Sequence, residues 1–346
     1  MPAPRDPVGL EFAKTVWRQQ YENHVASEVT TLLRGTWSRV YAEMHQPRWA
    51  QTTRFTREQQ TRLFIEINNI INAGYQQVNT FTAAELVDYA AVEQQIAART
   101  LEVAITDAGG VLSANATRML SQQMITSIAE LPIQGLKLGE WWSHMSTNMG
   151  VMMRRTLQQG LLEGLGPHAI ARNLFGVHGD GAVAMRSMRE ARAMARTATA
   201  AVQNHAATET YKRAGTNVTP GYTWLSARDN RVTPICRGLD GKTFAYDDPK
   251  APLPPAHFQC RSTTIPELNW KALGIRKPGE RHDLGFKSYA SWLRGQTRAD
   301  QDAILGRAAA NVWRSGRVDL IDLVNKDGRK LTVTQLARKF GTEATQ

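Results

Sequence analysis

Both cysteines of this 346-residue chain lie in one stretch, CRGLDGKTFAYDDPKAPLPPAHFQCRS, running from Cys236 to Ser262. With His257 they form a C-x20-H-x2-C arrangement. Thiolate and imidazole are the donors zinc prefers, and a two-residue spacer presents two of them to one side of a tetrahedron. A structural zinc takes four ligands, and Asp229, Asp240, Asp247 and Asp248 are the oxygen donors nearby in sequence. Three ligands with an open position would instead suit catalysis, which needs a general base alongside; the local sequence assigns none. A Cys/His nucleophile pair would need His257 within hydrogen-bond reach of Cys236 or Cys260, plus an orienting acid. The fourth reading is packing: two small buried sulfur groups, with His257 as a hydrogen-bonded strut in a proline-rich loop. Two cysteines are too few for a disulfide framework, and a reducing cytosol disfavours a Cys236–Cys260 bridge. Other catalytic signatures are absent: no GxxxxGK[ST], HExxH or GxSxG, and no GxGxxG opening a helix after a strand. GVHGDG (Gly176–Gly181) reads as a flexible loop rather than a nucleotide site.

The elements that must hold these residues are mostly helices. The chain is 42% hydrophobic and 21% charged, the balance of a soluble globular protein. Its length allows two or three domains. No run is long enough to span a bilayer, and MPAPRDPVGLEF lacks the apolar core of a signal peptide. The formal net charge of +11 favours contact with nucleic acid or another polyanion.

Residues 1–140 read as a helical N-terminal region. TREQ (Thr56–Gln59) has the capping-box form, followed by Leu63, Phe64, Ile67, Ile70, Ile71 and Val78 at helical spacing. TAAE (Thr82–Glu85) repeats that form before Leu86, Tyr89, Val92 and Ile96. These stripes suit a core between packed helices better than a partner surface. LPIQGLKLG (Leu131–Gly139) is a connector. Residues 141–270 begin with a Trp- and Met-rich helix carrying His144, for which no partner is apparent. Pro167 then sits at a helix start. A long Ala-rich helix opens with a Ser187/Glu190 capping pair and closes on Gly215. Arg186, Arg189, Arg192, Arg196, Lys212 and Arg213 outnumber its acids, so it offers either a solvated face or a track for phosphates or an acidic partner. After Gly215, YTWLSA and TFAY read as short strands, and Asp240-Gly241 as a tight turn between them. DDPKAPLPP is a proline-stiffened loop. Residues 271–346 start loose and basic, then give two short helices, a turn at Asp327-Gly328 and a terminal helix capped near Thr332 or Thr334. The expected fold is mainly α (α+β): a helical N-terminal body with a long Ala-rich helix, a small irregular β-containing Cys/His unit, and a short helical C-terminal tail.

The order of these pieces resembles the phage Mu F-like family of head morphogenesis, or minor head, proteins. The resemblance rests on ARTATAAVQNHAATETYKRAG, YTWLSARDNRVTPICRGLDGKTF and LPPAHFQCRSTTIPEL, preceded by GLLEGLGPHAIARNLFG. The tail, from YASWLRGQTRADQDAILG to GRKLTVTQLARKF, resembles a C-terminal segment of Mu-like members. The likeness covers residues 150–346. It matches Asp229 and Arg231 to an acidic-Arg pair, Asp240 and Gly241 to the LDG turn, and Arg261 to the Arg after the last Cys. An Arg beside an Asp can brace a loop-rich unit through bidentate hydrogen bonds. One position departs: Thr233 stands where many relatives carry a further Cys. The resemblance implies a non-enzymatic, low-copy component of a phage head, near the portal vertex. It implies portal, major capsid or scaffold proteins as partners, contact with packaged DNA, and assembly in the host cytoplasm without a membrane. Zinc on Cys236, His257 and Cys260, with Asp229 as the candidate further ligand, is a cofactor the residue types allow, and Thr233 takes one ligand away from a four-ligand metal knot. The alternative is a metal-dependent hydrolase or nuclease built on the same three residues.

Overall fold

The capping box at Thr56–Gln59 forms as its sequence predicts: the Thr56 N–H donates to Gln59 Oε1 at 3.0 Å, and the Gln59 N–H donates to Thr56 Oγ1 at 3.2 Å. It sits at the start of a long helix in a computed structural model that describes residues 7–50, 56–107, 109–111, 119–175, 182–275 and 288–341. The expected loop Gly176–Gly181 lies outside the described residues. The structure is mainly α-helical with one small sheet. Its first helices are α1 (Pro7–Met44), α2 (Pro47–Ala50), α3 (Arg57–Asp107), α4 (Gln122–Ala129), α5 (Leu138–Leu162), α6 (Pro167–Phe175) and α7 (Ala182–Arg213).

The chain forms two compact units: Val16–Ala91 with Ser121–Val202, and Met1–Thr15 with Val92–Leu120 and Gln203–Gln346. In the first, Val25, Val29, Leu33, Trp37, Val40 and Met44 of α1 are buried at helical spacing, as are Leu63, Ile67, Ile71 and Val78 of α3. Trp142, Met149 and Met153 of α5 are core residues. TAAE does not start a helix. Thr82 lies inside α3, its hydroxyl donating to the Val78 carbonyl at 2.8 Å and accepting from Trp142 Nε1 at 3.0 Å. Ser187 does not cap α7 either. It is buried within that helix and accepts from Trp37 Nε1 at 2.6 Å, while Glu190 pairs with Arg186 at 2.8 Å. Tertiary partners have claimed both hydroxyls that a local pattern assigns to caps. The stripe of α3 also changes phase: Val92 is exposed, and Glu93, Ala97 and Leu101 are buried instead. Val92 is where the chain passes into the second unit, so a different face meets a core.

In the second unit, Gly215 ends α7 with φ +94°, a conformation glycine adopts without strain. Strand β1 (Gly221–Leu225) lies between β2 (Thr243–Ala245) and β3 (Thr263–Glu267), antiparallel to both. Helix α8 (Pro234–Leu239) intervenes between β1 and β2, so Asp240-Gly241 turns from a helix into a strand rather than between two strands. Gly241 has φ +77°, and its N–H donates to the Trp224 carbonyl at 2.8 Å. The tail holds more than two short helices before its turn: α9 (Tyr289–Arg294), α10 (Arg298–Leu305), α11 (Arg307–Arg314) and a 3-10 helix (Leu320–Leu323). Gly295 and Gly306 interrupt what reads in sequence as continuous helix. Helix α12 (Val333–Phe340) is capped by Thr332, with the reciprocal Gln335 bond at 2.8 Å. Trp224, Tyr289, Leu293, Ala310, Trp313 and both cysteines share one core, so the tail packs directly on the Cys/His unit.

Candidate metal centre

Cys236 lies on α8, which starts with Pro234 after Thr233. His257 and Cys260 lie on the loop entering β3, and that strand is anchored by α7: Gln203 Nε2 donates to Thr263 Oγ1 at 3.0 Å, and Asn204 Nδ2 to the Ser262 carbonyl at 3.4 Å. Ser226, just past β1, donates to the Cys236 carbonyl at 2.8 Å and accepts from Trp224 Nε1 at 3.1 Å. Helix, loop and strand are thereby held in register around the sulfurs.

The donor atoms of Cys236, His257 and Cys260 all lie within 4.8 Å of one another. The two Sγ atoms are 3.6 Å apart, and Cys236 Sγ is 3.2 Å from His257 Nε2. Both cysteines are free thiols. A tetrahedral zinc with bonds of about 2.3 Å to sulfur and about 2.0 Å to nitrogen needs roughly 3.8 Å between sulfurs and roughly 3.5 Å from sulfur to nitrogen. The two edges at Cys236 therefore come within a few tenths of an ångström of those a zinc ion needs, and the third lies within 4.8 Å. His257 Nδ1 faces the Phe258 carbonyl at 2.8 Å, so an Nδ1–H donates there and Nε2 is the nitrogen turned to the sulfurs. Carbonyl-oriented imidazoles of this kind are typical around metals. Within the thiol pair, the hydrogen bond from Cys236 pulls Cys260 down, and the same bond raises Cys236. The hydrogen bond with Cys260 raises His257. One sulfur thus readily becomes thiolate, the form that binds metal.

Thr233 explains where the missing sulfur would stand. Its Oγ1 is 2.8 Å from His257 Nε2. A cysteine at that position would bring a further sulfur to the triad. Asp229 does not join the cluster. Arg261 grips its carboxylate in a two-pronged bond, Nη1 to Oδ2 at 2.5 Å and Nη2 to Oδ1 at 2.7 Å, while the Arg231 N–H donates to Oδ1 at 2.9 Å. The bidentate partner is therefore Arg261; the Arg231 guanidinium stays 79% exposed and 3.8 Å away. Asp247 and Asp248 are exposed loop residues.

Asp240 has a role that the LDG pattern does not disclose. Its side chain is 1% exposed. Oδ1 accepts from the Ser226 N–H and from Arg228 Nη1, both at 2.7 Å, and Oδ2 accepts from the Tyr289 N–H at 2.5 Å. It clasps the end of β1 to the start of α9. Tyr289 returns to the same region, donating through its hydroxyl to the Asp229 carbonyl at 2.8 Å.

The basic residues of α7 separate. Arg186 pairs with Glu190, Lys212 pairs with Glu209 at 2.6 Å, and Arg196 reaches Asn23. Arg189 and Arg192 are exposed near Arg186, and Lys212 and Arg213 lie in the last turn of α7. His144 is exposed. Among the described residues no helix is long and apolar enough to cross a membrane.

Compared with known proteins, residues 152–265 match the family model described as Phage Mu protein F like protein. No curated protein and no solved structure matches the chain significantly. The matched segment, about a third of the chain, contains Asp229, Asp240, Cys236, His257, Cys260 and Arg261, and over those residues the chain is similar to that family.

Proposed function

We propose that this protein is a minor component of a phage head that acts in head morphogenesis. The family match over residues 152–265 carries this reading. In the proposal it works near the portal vertex, binds the portal and the major capsid or scaffold proteins, and assembles in the host cytoplasm. Its net charge of +11 and the exposed Arg189 and Arg192 support contact with packaged DNA. The Cys/His triad serves as a structural cross-link, with Cys236, His257 and Cys260 as the protein ligands of zinc. When bound, zinc would join α8 to the loop before β3, supplying folding energy to a unit with little regular structure.

The reading as a hydrolase or nuclease finds less support. Among the described residues no Asp or Glu joins the triad, so no carboxylate stands by as general base, and the two cysteines are buried in a packed core. The functional test is co-expression of the chain with the portal and capsid proteins of its own phage, followed by sedimentation. Co-migration with portal-containing heads is expected; a chain that stays at the top of the gradient would refute the proposal. Metal analysis of the same preparation is expected to give one zinc per chain, lost in Cys260→Ala.

A further inference from the structure

Away from the triad, a cavity of about 350 Å³ opens between α8 and α10, and two cations converge on it. Arg237 is 5% exposed, and its Nη1 donates to the Ile304 carbonyl at 3.0 Å. Lys330 donates to the same carbonyl at 2.7 Å. Among the described residues neither has an ion pair with a carboxylate. The shared carbonyl brings the two positive groups together, and burial, then the charge of Arg237, holds the Lys330 ammonium below its ordinary range. Both share that carbonyl oxygen, and Arg237 also hydrogen-bonds Tyr289. A guanidinium has five N–H donors and an ammonium three, so donors remain. Arg237 is buried beside the more exposed Lys330 ammonium, with no carboxylate among the described residues paired to either, so an anion entering the cavity is attracted to both.

The walls define which anion. Val232, Pro234, Ala303 and Ile304 supply its apolar lining, Asn230 a neutral polar group, and Asp300 one carboxylate, which accepts from Thr297. Arg237 and Lys330 against Asp300 leave the lining one positive charge in excess. That suits a singly charged group on an apolar stem better than a doubly charged phosphate, which Asp300 repels. The concave shape also suits an inserted side chain better than the convex backbone of a duplex.

We infer that this cavity is a docking site for one aspartate or glutamate side chain of a protein partner, with Arg237 and Lys330 as its counter-charges. Its lining does not include Cys236, His257 or Cys260, although Arg237 follows Cys236 on α8, and the inference stands apart from the head assignment.

The test uses the full chain and three probes followed by ligand-observed NMR titration: N-acetyl-aspartate amide, its neutral asparagine counterpart, and inorganic phosphate. The aspartate probe is expected to bind and the asparagine probe not. Lys330→Gln changes an exposed residue and should preserve the fold; it is expected to weaken the aspartate probe about tenfold, the scale of one lost charge-assisted hydrogen bond. Asp300→Asn is expected to strengthen phosphate more than the aspartate probe. Equal binding to wild type and Lys330→Gln would overturn the site. Tighter binding of phosphate than of the aspartate probe by the wild type would overturn its assignment to a carboxylate.

Discussion

Replacing Asp240 by Asn tests whether the Cys/His unit is held by a buried carboxylate clasp. Three donors converge on its two oxygens at 2.5–2.7 Å, and the side chain is 1% exposed. Asparagine keeps the shape but offers one accepting oxygen. Either orientation aims its NH2 group at a donor: the Tyr289 N–H in one, the Ser226 N–H and Arg228 in the other. A hydrogen bond to a charged group contributes about 1.5–3 kcal/mol, and an unsatisfied buried donor adds its desolvation penalty, so the expected loss is about 2–4 kcal/mol. Asp240→Ala leaves Arg228 without its carboxylate and should cost about 3–5 kcal/mol. For units of roughly 150–250 residues, each kcal/mol lowers the melting temperature by about 2–4 °C, giving a fall of about 4–16 °C for Asp240→Asn. Thermal unfolding reads the total, and hydrogen exchange locates it: peptides spanning 222–228 and 288–294 should lose protection first. Asp248→Asn, on the exposed loop, is the control and should melt like wild type. An Asp240→Asn protein that melts within about 1 °C of wild type would refute the clasp.

Other expectations follow the same geometry. Gly238→Ala should destabilise by about 1–3 kcal/mol in denaturant titration although alanine favours helices, because the added Cβ would lie 2.8 Å from Ile321 Cα; a stabilised variant would show that α8 and the 3-10 helix give way easily. Arg261, through its hydrogen bonds first, holds the Asp229 carboxylate below its ordinary range. A depressed carboxylate gives stability that is present above about pH 4 and is lost as pH falls through the folded value, so Arg261→Gln should flatten the acid side of the stability profile; an unchanged acid slope would contradict this brace. Arg189→Glu combined with Arg192→Glu should weaken DNA binding and lower the salt slope by about 0.9 per lost phosphate contact; unchanged binding would remove α7 from any DNA interface.

Much of the architecture was legible because helices announce themselves locally. The stripe from Leu63 to Val78 and the Thr56 capping box needed no tertiary information. The false caps at Thr82 and Ser187 failed for the converse reason: each hydroxyl answers an indole N–H from a distant helix. Strand β3 escaped notice because Pro266 interrupts its pattern, yet Pro is tolerated on an edge strand, and β3 is one. Helix α8 had a usable signal in Pro234 at its first position after Thr233. The triad was legible from residue type and spacing. What completes its surroundings was not: the grip of Arg261 on Asp229, the burial of Asp240, and the approach of Lys330 to Arg237 all depend on how the tail folds back onto the unit.

The central claim is tested most directly by quantitative mass spectrometry of heads purified from cells in which the phage carrying this chain assembles. The account predicts the chain in both immature and mature heads, at low copy relative to the major capsid protein. Its absence from both would contradict the assignment.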